Sequence, residues 1–285
     1  MEIKKIGIVG GGFMGTGICQ LSAMKGFDVL VYDIEQRFLD NSKNNIIAQL
    51  DKSVAKGKLT EEEKAAILGR IQYTVNLEDF ASVDFVIEAV VENLDIKKNV
   101  FSQLDKICRP EVILCTNTSS MSITIISTAT KRPDRVAGMH FFSPAVVMKL
   151  VEVIRGIDTS DETTATVKAL AEALGKTAVT VEKDTPGFIV NRVLFPLLLE
   201  SIEIYEQGIA SKEDIDTAVK LGLNHPMGPF ELMDYTGFDT LLSSTEYFFA
   251  ETKNPKWNVP HTARDLIRSG KTGRKAGKGW YDYTK

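Results

Sequence analysis

Lys5-Ile6-Gly7-Ile8-Val9-Gly10-Gly11-Gly12-Phe13-Met14-Gly15 is the stretch that decides the fold. Its first half is a short apolar run bounded by glycine, which predicts a buried strand. From Met14 to Gly26 the sequence reads as a helix closed by a glycine. Strand, glycine turn and helix, in that order, open a βαβ unit. Gly10 permits the tight turn, Gly12 lets a backbone approach a diphosphate, and Gly15 lets helix and strand pack closely. Phe13 and Met14 fall in the first turn, where free N–H groups and the positive end of the helix dipole favour an anion.

Working outward, Val29-Leu30-Val31-Tyr32 is a second strand ending at Asp33, 18 residues beyond Gly15 (33 − 15). A carboxylate there bonds both ribose hydroxyls of NAD and repels the 2′-phosphate of NADP. NAD is therefore the expected cofactor, and NADP is less favoured, with Arg37 leaving some use of it open. The plainer alternative is an Asp that merely starts a turn. An amphipathic helical arm follows at about 35–70. It breaks near Gly57 and restarts at Thr60-Glu61-Glu62-Glu63, an N-cap with an acidic first turn. Val83–Ile87, a helix over Asp95–Ile107, Val112–Cys115, Arg135–Met139 and Lys149–Ile154 continue the alternation. The fold class is α/β: a Rossmann-type doubly wound, mostly parallel sheet with helices on both faces. Beyond Val181 no convincing strand appears. Phe188–Tyr205, a helix opening at Ser211 and further helical material over Phe230–Ala250 predict an all-helical second domain. The boundary is placed near Asp184-Thr185-Pro186-Gly187, giving domains of 1–184 and 185–285.

The 285 residues carry a net charge of −4, with 44% hydrophobic and 25% charged residues, an ordinary globular composition. The mildly acidic balance argues against a nucleic-acid or membrane surface. Three cysteines (Cys19, Cys108, Cys115) in apolar surroundings, without a C-x-x-C, read as reduced buried thiols. Three histidines, none with a second ligand at metal spacing, predict no metal site. No secretory signal and no membrane-spanning run is visible, so a cytoplasmic protein is expected.

Two stretches exceed the needs of plain structure. Asn117-Thr118-Ser119-Ser120 forms the polar lip after a strand, where open α/β sheets place ligands. Gly138-Met139-His140-Phe141-Phe142-Ser143-Pro144 is followed by Leu150-Val151-Glu152-Val153-Ile154. Glu152 lies inside an apolar strand, and a buried carboxylate needs a partner. His140, at the end of the preceding strand, is the candidate.

These segments, together with Gly10–Gly15, Glu88–Asn93, Pro186–Arg192, Pro226–Leu232 and Gly277–Tyr281, resemble the 3-hydroxyacyl-CoA dehydrogenase family over essentially the whole chain. The resemblance implies NAD(H)-linked interconversion of a 3-ketoacyl-CoA and its (S)-3-hydroxyacyl-CoA. For a stand-alone chain of this length, acetoacetyl-CoA is the expected partner substrate. It implies that His140 is the general base and Glu152 its orienting partner. Ser119 and Asn191 would hydrogen-bond the reacting oxygen or the thioester carbonyl. Ser119, Glu92, Lys97, Ser143 and Lys275 match cofactor-contact positions. The alternative for Glu92 and Lys97 is a solvated helix start, and for Lys275 a solvated basic tail. At Ser143 the family usually has Asn, so the chain departs from its pattern there with a shorter side chain. Ser53 and Lys56 lie where the family grips coenzyme A, although positions do not align cleanly.

Two-domain β-hydroxyacid dehydrogenases use a lysine base after the domain boundary, and Phe188–Tyr205 contains no lysine. A non-catalytic relative keeping the fold would be expected to lose His140 or Glu152. The apolar run Leu194–Leu199, with the family's habit, predicts a homodimer joined through the C-terminal domain.

Overall fold

The computed structural model describes residues 2–284. The chain divides between Thr185 and Pro186 into two compact units. The first contains β1 (Lys5–Val9), α1 (Phe13–Met24), β2 (Asp28–Tyr32), α2 (Gln36–Ala55), α3 (Glu61–Gly69), β3 (Ile71–Thr74) and β4 (Phe85–Glu88). It continues with α4 (Leu94–Ile107), β5 (Ile113–Thr116), α5 (Ile123–Ser127), β6 (Val136–Phe141), β7 (Leu150–Arg155), α6 (Asp161–Ala173) and β8 (Thr177–Val181). The strands form one sheet in the order β3-β2-β1-β4-β5-β6-β7-β8. Pairing is parallel except between β6 and β7. Chain order reverses between β1 and β4, and ligands of open α/β sheets bind at that reversal, beyond the carboxyl ends of the strands.

The central strands read as near-continuous apolar runs because both faces are covered. Ile6, Ile8, Val9, Phe85, Val86 and Ile87 have no exposed surface. At about 1.5–3 kcal/mol for each fully buried large side chain, this core is the main force holding the sheet. On α2, Leu39, Ile46 and Leu50 make the buried stripe. The restart of the helical arm is sharp: Thr60 and Glu63 form a reciprocal capping box at the head of α3. Edge strands β3 and β8 and helices α5 and α6 extend the plan beyond what the sequence pattern singled out. The two strands are short and amphipathic, the usual condition of a sheet edge, and α5 has only five residues.

The second unit is helical: α7 (Val190–Glu206), α8 (Lys212–Gly222), α9 (Pro229–Thr236), α10 (Phe238–Thr252) and α11 (His261–Arg268). Among the described residues no named strand lies beyond Val181. The stretch Phe230–Ala250 becomes two helices because Gly237, at φ +96°, breaks it. Trp280 packs against Phe230 and Phe238 at 4.6 and 5.3 Å between ring centroids. Buried Asp234 accepts from the backbone N–H groups of Trp280 and Tyr281 (2.8 and 2.9 Å) and so fastens the C-terminal tail. Buried Asp216 accepts from Phe230 N–H and Tyr281 hydroxyl (2.8 and 2.7 Å). The two sequence segments around Pro226 and Gly277 thus meet on Asp216. No helix among the described residues is long and apolar enough to cross a membrane.

Candidate active site

The glycine loop sits at the head of β1. Gly10 adopts φ +108°, and a Cβ there would lie 2.6 Å from the Ala89 carbonyl oxygen. A Cβ at Gly15 would lie 1.9 Å from the Gly10 carbonyl oxygen, so α1 meets the turn with no room for a methyl. At Gly12 a Cβ would meet nothing within 4 Å. Gly12 is also the N-cap of α1 and supplies no side-chain acceptor, so the first-turn N–H groups face that open space without a protein cap. Phe13 is exposed and Met14 half-buried beside them. Asp33 Oδ2 accepts from Gly11 N–H at 2.7 Å and Oδ1 from Ile34 N–H at 2.8 Å, which pins the carboxylate at the end of β2. Each oxygen keeps further acceptor capacity. Arg37 is engaged by Glu35 (Nε–Oε2 2.8 Å) and stacks on Phe38. An uncapped helix start, a backbone open to close approach and a fixed carboxylate at the neighbouring strand end fit a dinucleotide: pyrophosphate over Gly12, ribose hydroxyls at Asp33.

Three strands along, the antiparallel register of β6 and β7 sets His140 opposite Glu152. Their contact is Nδ1 to Oε2 at 2.8 Å. Glu152 has no exposed surface and His140 is 6% exposed. A carboxylate this deep is tolerable because it is paired. Asn117 Oδ1 accepts from Phe141 N–H at 2.8 Å, tying the lip after β5 to the residue following His140. Ser143 is exposed, in the loop between β6 and β7. That loop is held from below: buried Lys176 donates to the carbonyls of Ala145 (2.6 Å) and Met148 (2.7 Å). Burial, with Lys25 adding to it, pushes the Lys176 ammonium below the usual lysine range.

The lip itself is clamped by Glu92. Its Oε1 accepts from the Thr118 hydroxyl, from Ser119 N–H at 3.0 Å and from the Ser120 hydroxyl at 3.2 Å. Lys97 does not stand at a solvated helix start, since it is 1% exposed. Its ammonium pairs with Glu88 at 2.8 Å and with Glu92 at 3.3 Å.

In the first unit, the structure thus gathers Gly10, Gly12, Phe13, Met14, Gly15 and Asp33 around one loop. His140 and Glu152 form a pair, and Glu92 and Ser119 lie on one lip. Ser53 and Lys56 lie elsewhere, at the end of α2. Ser53 Oγ donates to Gln49 O at 3.0 Å, and Lys56 is the exposed C-cap. Asn191 is in the first turn of α7, and Lys275 is exposed on a short turn over Arg274–Ala276, both in the second unit. The three cysteines are free and buried. Burial pushes their thiols upward, Cys108 to about 11, against thiolate chemistry.

Sequence reasoning passed over Glu88 and Lys176. Glu88 carried a signal like that of Glu152, a carboxylate attached to an apolar strand, here at its end in Phe85-Val86-Ile87-Glu88. Lys176 carried none, because a lysine after Gly175 reads as an ordinary turn.

Known proteins resemble the chain along its length. Residues 5–185 match the family model described as 3-hydroxyacyl-CoA dehydrogenase, NAD binding domain. Residues 187–283 match that of the 3-hydroxyacyl-CoA dehydrogenase C-terminal domain. A probable 3-hydroxybutyryl-CoA dehydrogenase of Deinococcus radiodurans is 47% identical over 98% of this chain and all of its own. The human mitochondrial hydroxyacyl-coenzyme A dehydrogenase is 45% identical, covering 99% of this chain and 91% of its own. The crystal structure of (S)-3-hydroxybutyryl-CoA dehydrogenase from Ralstonia eutropha superimposes with a TM-score of 0.96 at 44% identity, covering both chains entirely. Matched along its length by sequence and by fold, the chain belongs to the 3-hydroxyacyl-CoA dehydrogenase family.

Proposed function

We propose that the protein interconverts acetoacetyl-CoA and (S)-3-hydroxybutyryl-CoA with NAD(H). The observation that carries this reading is the buried His140–Glu152 pair at 2.8 Å, on the same carboxyl edge of the sheet as the glycine loop. Held by Gly10, Gly12, Gly15 and Asp33, NAD would supply the hydride acceptor for C3. His140 takes the 3-hydroxyl proton. With Nδ1 committed to Glu152, that exchange falls to Nε2, and the carboxylate stabilises the imidazolium that results. In the reducing direction the same nitrogen returns the proton to the oxygen. Ser119, held at its backbone by Glu92, and Asn191 are assigned as hydrogen-bond partners of the reacting oxygen or the thioester carbonyl. Asp33 supports NAD over NADP by its charge. Ser143 and Lys275 are assigned as cofactor contacts, and Ser53 and Lys56 as coenzyme A contacts.

The assay is NADH and NADPH oxidation with acetoacetyl-CoA, longer 3-ketoacyl-CoAs and free acetoacetate side by side. Turnover is expected with acetoacetyl-CoA and NADH. Turnover confined to free acetoacetate, or none with any thioester, would overturn the reading. Self-association through the second unit is part of the proposal. Leu221, Val193 and Ile209 of that unit are 81%, 71% and 67% exposed, apolar surface that a second copy would cover. Light scattering at micromolar concentration should give a dimer mass, and a monomer mass would refute the pairing.

A further inference from the structure

Glu88 places a carboxylate where the sheet calls for an apolar residue. It closes β4, in register with Val9 of β1 and Thr116 of β5, and is fully buried. Its acceptor positions are met from three sides. Oε1 receives Val90 N–H at 2.7 Å and Lys97 Nζ at 2.8 Å, and Oε2 receives the Thr116 hydroxyl at 2.7 Å. Lys97 Nζ is surrounded by three oxygens: Glu88 Oε1, Glu92 Oε2 at 3.3 Å and the Val90 carbonyl at 3.4 Å. The ammonium donates to Glu88 Oε1 and the Val90 carbonyl, and meets Glu92 Oε2 as an ion pair. Glu92, 38% exposed at its side chain, turns its other oxygen to Thr118, Ser119 and Ser120. A continuous polar path therefore runs from the core beneath β4 to the lip beyond β5.

We propose that Glu88 and Lys97 are positioning residues: their buried pair selects the conformer of Glu92 that clamps residues 118–120. Lys97 then acts on the cofactor side of the lip through Glu92. The physical reason is entropic as well as electrostatic. A half-exposed glutamate has many rotamers, and holding one requires a fixed partner. Lys97 is fixed only because Glu88, itself anchored by a backbone N–H and a threonine, neutralises it inside the sheet edge. Two carboxylates share one ammonium, so removing the charge of Glu88 leaves Glu92 as the sole counter-ion and draws it inward from the lip.

The inference rests on reading this edge as the nicotinamide cofactor's site, not on the identity of the acyl substrate. Its test is a double-mutant cycle on the full chain. NADH Kd is read by fluorescence titration and Tm by calorimetry, for wild type, Glu88→Gln, Glu92→Gln and the double variant. Residues acting in one network give non-additive effects. Glu88→Gln is expected to raise Kd about ten-fold in the wild-type background and less than about two-fold when Glu92 is already Gln. Equal increases in both backgrounds, or an unchanged Kd with a lowered Tm, would reduce the pair to a structural brace and overturn the proposal. Should Glu88→Gln fail to fold, Thr116→Val serves in its place. It removes the bond to Oε2 and, at the lip, the acceptor of Thr118 N–H (3.2 Å), so the rise in Kd is expected to be about three-fold larger with Glu92 intact than with Glu92 already Gln. An inactive wild type with acetoacetyl-CoA whose cycle still couples would sink the substrate assignment alone.

Discussion

Replacing Gly15 by alanine puts a methyl carbon 1.9 Å from the Gly10 carbonyl oxygen, where ordinary contact begins at 3.4 Å. The first turn of α1 must retreat from the β1 turn by about 1.5 Å, close to the rise of one helical residue. Overpacking of this kind costs about 1–3 kcal/mol, or roughly 2–10 °C in Tm for a domain of this size. The same retreat lengthens the first-turn N–H contacts to a pyrophosphate. Losing one charge-assisted bond, worth about 1.5–3 kcal/mol, weakens NADH about ten- to hundred-fold. Gly12→Ala provides the contrast. Its φ of −70° suits alanine and its Cβ meets nothing within 4 Å, so the unliganded protein has no clash. Only the N-cap preference of Gly over Ala is lost, about 0.5–1 kcal/mol, about 1–4 °C. Yet the methyl stands where the backbone would touch the diphosphate, and NADH Kd should rise at least about ten-fold. Fluorescence titration with NADH and differential scanning calorimetry separate the two cases. If Gly12→Ala binds NADH like wild type, the open space at the head of α1 is not the pyrophosphate seat.

Two further outcomes follow from the same structure. Lys176→Met removes the donor to the Ala145 and Met148 carbonyls. It should cost about 1–3 kcal/mol and raise amide exchange over residues 145–148, and unchanged exchange would show the loop to be held by other contacts. Asp33→Ser removes the charge that repels a 2′-phosphate, so the ratio of NADPH to NADH turnover should rise about ten-fold or more. A ratio that stays put would place cofactor choice elsewhere.

Much of this plan was legible in the residues, and the parts that were not have physical reasons. The glycine spacing and Asp33 gave the first βαβ unit because Gly10 and Gly15 answer steric demands that the structure displays, while Gly12 leaves open space at the head of α1. His140 and Glu152 were legible because a carboxylate inside an apolar strand is costly alone. The register then puts the two side chains directly across from one another. The same reasoning applied to Glu88 would have found the second buried carboxylate, and with it why Lys97 turns inward. Strand β3 escaped notice because an edge strand of four residues carries too short an alternation to stand out. Lys176 was beyond sequence reading, since its bonds are to backbone carbonyls 28 and 31 residues away, which no side-chain pattern records.

The central claim is that His140, oriented by Glu152, moves the proton while the glycine loop holds the cofactor. The most direct measurement is kcat for acetoacetyl-CoA reduction by His140→Ala, with NADH Kd determined on the same preparation. Positioned acid–base catalysis contributes about 10²–10⁴-fold. A fall of that order in kcat is expected, with NADH Kd within about two-fold of wild type because the glycine loop is untouched. Turnover close to wild type in that variant would contradict it.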